Sequence, residues 1–265
     1  MHRVTLPNQR RVFCTNPLEV AVIFAQIAPY FQHGISLKAG DTVFDVGANI
    51  GLFTLTACDW GQRALQVFAF EPIPALFEAL KANVAHYQLH HVLPLSYAVS
   101  RQPGEMHLVY YPWVTAMSTA YPYDPTSANL LQSFRDGLLH ASPTLRWLKH
   151  LPTWLLKLIL KIIFSEQQVV CQAVTLSEII HTHQIEQIDL LKIDAEKAES
   201  DILQGIQPDH WPKIRQVVLE VHDIAGRLDT VTALLRHQGF SEVIAQQEPG
   251  MQALGIFEVY ARRNA

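Results

Sequence analysis

Short apolar, β-branched runs that end in a polar side chain and pass straight into a helical pattern recur along this 265-residue chain. No other feature constrains the fold as much. The first run, Asp41-Thr42-Val43-Phe44-Asp45-Val46, stops at Gly47, and Ile50-Gly51-Leu52-Phe53-Thr54-Leu55 then opens a helix. The second, Gln66-Val67-Phe68-Ala69-Phe70, closes with Glu71-Pro72. From Pro74, PALFEALKANVAHY sets Leu76, Leu80, Val84 and Tyr87 on one face, with proline at the helix start. Val92 to Val99 reads as a third strand. The rhythm resumes at Thr175-Leu176-Ser177-Glu178, a capping box ahead of Ile179 and Ile180, followed by the strand Ile188 to Asp194. A helix from Glu199 to Ile206, the strand Val217 to His222 and a helix through Leu228, Val231, Leu234 and Leu235 follow, the last stopping near Gly239. Runs apolar on both faces belong to buried parallel strands. The alternation therefore predicts an α/β fold with a doubly wound, mostly parallel sheet and helices on both sides. The runs Glu242–Ala245 and Ile256–Tyr260 have no helix between them and are expected to pair as a C-terminal antiparallel edge hairpin.

Two stretches break the rhythm within what reads as one domain spanning 1–265. Residues 1–40 read as a helical lead-in, carried by LEVAVIFAQIAPYF. Residues 112–170 read as a helical cap insertion over the sheet, marked by Pro112, Pro122, Pro125, Pro143 and Pro152 and by Tyr121, Tyr123 and Phe134. Two helices are expected in it. One is the most apolar segment of the chain, Trp154 to Phe164, interrupted by Lys157 and Lys161. A membrane-spanning helix needs roughly 20 apolar residues, so no transmembrane segment is expected here. The lysines, four apart, share a face. Packing on the core is the expected role, and contact with a membrane surface is the alternative.

Composition narrows the partners. Acids outnumber bases by 24 to 20, a net charge of −4, so no broad basic field invites nucleic acid. A hydrophobic content of 49% with 17% charged residues supplies a core and excludes disorder as a description of the whole. Cys14, Cys58 and Cys171 lie far apart, matching neither a disulfide framework nor a zinc site. With no apolar stretch behind the basic residues of MHRVTLPNQRRVFC, a secretory signal is not expected and a cytoplasmic location is.

In open α/β sheets, ligands bind at the carboxyl ends of the strands, where the strand order reverses. Asp45, Glu71, Ser96 to Ser100, Asp194 and His222 occupy those ends. In Asp45-Val46-Gly47-Ala48-Asn49-Ile50-Gly51 the glycines permit a tight strand-to-helix turn, and the helix amides beyond offer donors to an anion. Glu71 ends the next strand 20 residues past Gly51, where a carboxylate can accept both hydroxyls of a ribose. Asn49 stands where the dinucleotide fingerprint has its middle glycine, a poor loop for a pyrophosphate. Asp45 also suits a cationic ligand, so a nucleoside carrying an amino acid fits better.

The runs VFDVGANIGLFTL, FAFEPIPALFEALKANV, LLKIDAEKAESDILQGI and VVLEVHD, with the segment YYPWVTAMS, resemble the FkbM-type S-adenosylmethionine-dependent methyltransferases over nearly the whole chain. The resemblance implies a class I, Rossmann-like methyltransferase fold and methyl transfer to a hydroxyl of a polyketide, peptide or sugar-containing acceptor. It assigns Asp45, Gly47, Asn49 and Gly51 to the cofactor loop, Glu71 with Pro72 to the ribose, and Tyr97, Ala98 and Ser100 to the adenine. The family pattern Asp-x-Glu-Gly is altered here: Asp194-Ala195-Glu196 is followed by Lys197. For the proton of the acceptor hydroxyl, His222 is the first base expected, since an ordinary pKa near 6.5 suits transfer near neutrality. Asp194, a cofactor contact as well, is the second, with Lys192, Glu196 and Glu220 as partners. Asp194, Glu196, Glu220 and His222 could instead hold a divalent metal, but they lack a diagnostic spacing. Trp113, Met117 and the cap aromatics point to an acceptor with apolar surface, free or tethered to a carrier protein. A nicotinamide-dependent oxidoreductase and a catalytically silent nucleoside-binding protein remain alternatives.

Overall fold

The fold is taken from a computed structural model, which describes the chain except residues 129, 133, 136–149, 248–254 and 265. Its strands are β1 (His2–Thr5), β2 (Arg11–Cys14), β3 (Thr42–Val46), β4 (Gln66–Phe70), β5 (Val92–Leu95), β6 (Ala98–Val99), β7 (Gly104–Tyr110), β8 (Gln167–Val174), β9 (Leu190–Ile193), β10 (Gln216–His222), β11 (Glu242–Gln247) and β12 (Ile256–Arg262). Seven of them form the main sheet in the order β5-β4-β3-β9-β10-β12-β11. All neighbouring pairs from β5 to β10 are parallel, and β12 runs antiparallel to both β10 and β11. The chain leaves β3 outward through β4 to β5 and returns on the other side at β9, so the order reverses at β3.

Side chains of the central strands alternate between two apolar layers. Phe44, Val46, Phe68, Phe70, Leu191, Ile193, Val217 and Leu219 face one, with the helices Leu176–Thr182, Glu199–Gln204 and Arg227–His237 packed over them. Val43, Val67, Ala69, Leu190 and Val218 face the other, beneath the helices Leu52–Trp60 and Pro74–His86. With both faces covered, the period-two signal disappears from the sequence and the strands read as continuous apolar runs. The local signals act as the pattern predicts: Pro74 is at a helix start, and Thr175 and Glu178 form a reciprocal capping box. At Gly239 (φ +86) the Arg227–His237 helix ends with Gly239 N–H donating to Arg236 O and Phe240 N–H to Leu235 O.

Two features differ from the expectation. Val92–Val99 is not one strand. β5 ends at Leu95 as the edge of the main sheet, where Pro94 is tolerated, and β6 crosses to a second sheet of order β6-β8-β7. The lead-in begins with a β1–β2 hairpin, and its apolar run yields only the helix Val20–Ala25 and a 3₁₀ turn, Ala28–Phe31. Pro29 lacks the N–H that a longer helix would need. The late hairpin pairs as expected, but β12 inserts against β10 and leaves β11 outermost. In the cap, the helix Thr153–Ile163 buries Leu156 and Leu160, and Leu160 joins a cluster with Tyr111, Tyr123 and Phe164. Pro143 lies outside the described residues.

Candidate active site

A pocket opens at the carboxyl ends of β3, β4 and β9, enclosing about 1040 Å³ with its mouth. Gly47, Asn49, Glu71, Pro72, Tyr97, Ala98, Lys192, Asp194 and Glu196 line it. Asp45, Gly51, Ser100, Glu220 and His222 do not.

Gly47 sits at φ +75, and a Cβ there would lie 1.7 Å from the carbonyl oxygen of Asp194. Only glycine lets the β3 turn pass that close to the end of β9. Asn49 also takes a left-handed conformation (φ 51), which asparagine tolerates, and its Oδ1 accepts the Ile50 N–H at 2.7 Å. Asn49 Nδ2 donates to Thr115 Oγ1 at 3.2 Å, tying the loop to the YYPWVTAMS segment.

Glu71 is buried, with Oε2 accepting Asn49 N–H at 2.9 Å and Oε1 accepting Ile73 N–H at 2.8 Å. Burial pushes its carboxyl up to about 7, against the pull of those amides and of Lys192. Lys192 lies on the pocket floor. Its Nζ is 3.1 Å from Asp45 and 3.6 Å from Asp194, and it donates to Gly47 O at 2.9 Å. Burial alone would lower its pKa, but Asp45 and Asp194 raise it above the usual lysine value, so it stays a cation. Asp45 is fully enclosed beneath the loop, held by Lys192 and by Thr54 Oγ1–H at 2.6 Å. It braces the loop and does not line the pocket. Gly51 (φ +88) caps the following helix against Leu80, and Ser100 N–H donates to Val174 O in the second sheet.

His222 is the clearest correction. Its ring, 2% exposed, lies behind the pocket wall. Nδ1 is 2.9 Å from Glu199 Oε1, and Nε2 is 3.1 Å from Glu196, 3.0 Å from Tyr123 Oη and 3.8 Å from Glu220. Burial by itself would lower its pKa, but Glu196, Glu199 and Glu220 outweigh burial and raise it to about 11. Enclosed by these carboxylates, the ring is kept off the pocket lining where an acceptor hydroxyl would sit. Donor atoms of Glu196, Glu220 and His222 lie within 4.8 Å of one another, a grouping that could admit a divalent ion. Here Tyr123 O–H donates to Glu196 at 2.5 Å in the same cluster.

Glu196 (φ 29) and Lys197 (φ 71) both take left-handed backbone conformations, where the family glycine would be at ease. The turn is held on all sides. Glu196 O accepts from Thr119 Oγ1 at 2.6 Å, Lys197 N–H donates to Glu199 at 2.9 Å, and Lys197 O accepts from Arg227 at 2.9 Å. Lys197 Nζ donates to Tyr121 O at 2.9 Å and lies 3.3 Å from the Tyr123 ring centre, fastening the cap to the sheet.

The lead-in supplies a wall that sequence reasoning missed. Ile23, Gln26, Ile27 and Tyr30 line the pocket, and Tyr30 O–H donates to Asp194 at 3.0 Å. Glu19 accepts Thr115 N–H at 2.7 Å, clasping the lead-in to the segment Thr115–Met117. No local motif marks these residues; their part comes from packing across the sheet.

Comparison with known proteins agrees with this architecture. The methyltransferase FkbM domain matches residues 45–242. The chain is 38% identical over 264 residues to the 31-O-demethyl-FK506 methyltransferase FkbM of Streptomyces tacrolimicus, covering 98% of this chain and 96% of that protein. It is 32% identical to the AMB antimetabolite synthetase AmbE of Pseudomonas aeruginosa, again over 98% of this chain but only 12% of the synthetase. The crystal structure of Methyltransferase FkbM from Methylobacillus flagellatus KT shares the fold, with a TM-score of 0.53 at 11% identity over 87% of this chain and 46% of that one. The sheet order, the glycine turn at β3 and these matches together show that the chain belongs to the FkbM methyltransferase family.

Proposed function

We propose that the chain transfers the methyl group of S-adenosylmethionine to a hydroxyl oxygen of a small natural-product acceptor with apolar surface. The observation that carries this reading is Glu71, buried yet lining the pocket, each oxygen already on one backbone amide. A carboxylate offers about four lone-pair positions, so two remain for the hydroxyls of a ribose. Asp194 and Glu196 face the same pocket with Lys192 as the one cation among its described lining residues. Such an anionic lining suits a sulfonium and disfavours a pyrophosphate, which weighs against the nicotinamide alternative.

The bound cofactor supplies a methyl group already activated for transfer to oxygen. The chain's own work is then to orient the acceptor and take its proton. Lys192 fixes the glycine turn through Gly47 O, and the Glu19–Thr115 and Tyr30–Asp194 hydrogen bonds hold the lead-in over the pocket. Such positioning is worth about 7–11 kcal/mol. With His222 enclosed and Glu196 engaged by Tyr123 and His222, we assign the hydroxyl proton to Asp194, oriented by Tyr30. Met106, Leu108, Ala116 and Ala120 add apolar lining, and Thr115, Ser118 and Thr119 add hydroxyls beside them. The Streptomyces tacrolimicus relative, named for an O-demethylated substrate, and the AmbE synthetase support an acceptor of this class, free or tethered to a carrier protein. Free thiols at Cys14, Cys58 and Cys171 fit a cytoplasmic location.

Mass spectrometry of the purified protein should detect co-purifying S-adenosylmethionine or its demethylated product, and a screen of hydroxylated acceptors should then register transfer of labelled methyl. Binding of a nicotinamide dinucleotide in its place, or nucleoside binding with no transfer to any acceptor, would overturn the reading.

A further inference from the structure

We infer that the outer face of the cap helix Thr153–Ile163 docks this protein onto an anionic lipid surface. On that face Trp154, Leu158 and Ile162, spaced four apart, are 69%, 49% and 57% exposed. Residues at that spacing form one stripe along a helix, here about 12 Å from first to last. A run of large exposed side chains on a globular domain marks an interaction site more than a chance of composition. Lys157 and Lys161 are exposed beside the stripe, and no acid occurs between His150 and Ser165. Arg135, donating to Thr153 Oγ1 at 3.0 Å, adds a third cation at the helix start. Asp124 lies near enough to Lys157 to interact with it, so the face carries Lys157, Lys161 and Arg135 against that acid, a local cationic excess on a chain whose net charge is −4.

The ridge cannot relieve its exposure by rolling inward. Leu156 and Leu160 on the opposite face are fully buried, and Phe164 packs edge-on against Tyr111 at 5.1 Å. Among the described residues no helix is long and apolar enough to cross a membrane, so the contact is one that lies on the surface. A convex stripe of Trp, Leu and Ile bordered by lysines matches a helix lying in the interface plane: the indole and aliphatic groups enter the headgroup boundary while the lysine stems follow and keep their ammonium groups among the phosphates. A bilayer needs no shaped groove to receive such a ridge, whereas a protein partner would. The inference stands apart from the methyl-transfer reading, because neither cofactor nor acceptor enters it.

Vesicle flotation tests it with the full chain. Wild type should float with mixed phosphatidylglycerol–phosphatidylcholine vesicles and stay below with pure phosphatidylcholine, and added salt should release it. A surface lysine contributes about fivefold to such binding, so K157Q/K161Q should weaken it roughly thirtyfold. W154S/L158S/I162S should abolish flotation while its circular dichroism and melting temperature match wild type. Failure of wild type to float at low salt, equal flotation with uncharged vesicles, or undiminished flotation of the triple variant would each overturn the inference. So would a wild-type dimer in vesicle-free buffer that the triple variant loses, since the ridge would then be an interface between copies.

Discussion

Replacing His222 with glutamine should cost stability in a manner that depends on pH. Glutamine keeps most of the volume and a hydrogen-bonding end but cannot carry the charge that Glu196, Glu199 and Glu220 surround. Histidine ordinarily titrates at 6.5, and here the folded state holds its proton to about 11. Below pH 6.5 both states are protonated and the stabilisation is complete. Above it only the folded state keeps the proton, so stability falls by about 1.4 kcal/mol per pH unit and the contribution is gone above pH 11. At pH 7 some four units remain, about 5 kcal/mol, at the upper end of the roughly 3–5 kcal/mol seen when a buried ion pair is broken. At pH 10 about one unit remains, about 1 kcal/mol. With the ring 2% exposed, solvent does little to screen this. Urea unfolding of wild type and H222Q, followed by circular dichroism from pH 7 to 10, measures the gap directly. A gap of the same size at both ends would refute the imidazolium and return His222 to consideration as a base.

Other consequences follow from single contacts. E71Q should weaken S-adenosylmethionine binding by calorimetry about tenfold to a hundredfold, the worth of hydrogen bonds to a charged acceptor. Because burial holds the Glu71 carboxyl near 7, wild-type affinity should fall as pH drops below 7 while that of E71Q stays flat; parallel profiles would exclude the ribose role. D194N should weaken cofactor binding, since its charge also faces the sulfonium, and at saturating cofactor should still lose about 10²–10⁴-fold in turnover once an acceptor is found; unimpaired turnover would remove Asp194 as proton acceptor. At Lys197, alanine keeps the left-handed strain and loses the tether to Tyr121 and Tyr123, whereas glycine loses only the tether. K197A should therefore unfold about 1 kcal/mol more easily than K197G, and the reverse order would contradict the strain at φ 71.

The sheet was legible because both of its faces are buried. Mostly apolar runs at β3, β4, β9 and β10, each with a polar residue at or beside its carboxyl end, leave little else for those segments to be. The turn at Gly47 and the acid at position 71 were legible for a related reason: backbone geometry there restricts residue type, so the chemistry leaves a local mark. Pro94 and the two-residue break between β5 and β6 were misread, because an edge strand and a strand of a second sheet look alike along the chain.

Local sequence thus determined the parallel core, the glycine turn after β3 and the polar residues at the strand ends, since those depend on periodicity and on backbone freedom. Tertiary structure alone decided which strand-end groups share the pocket. His222 and Asp194 both close strands at the same edge of the sheet, yet three carboxylates from separate elements enclose the first and charge it, while Tyr30 from the lead-in leaves the second facing the pocket. Burial and the sign of neighbouring charges are properties of packing between distant segments, and no local pattern carries them.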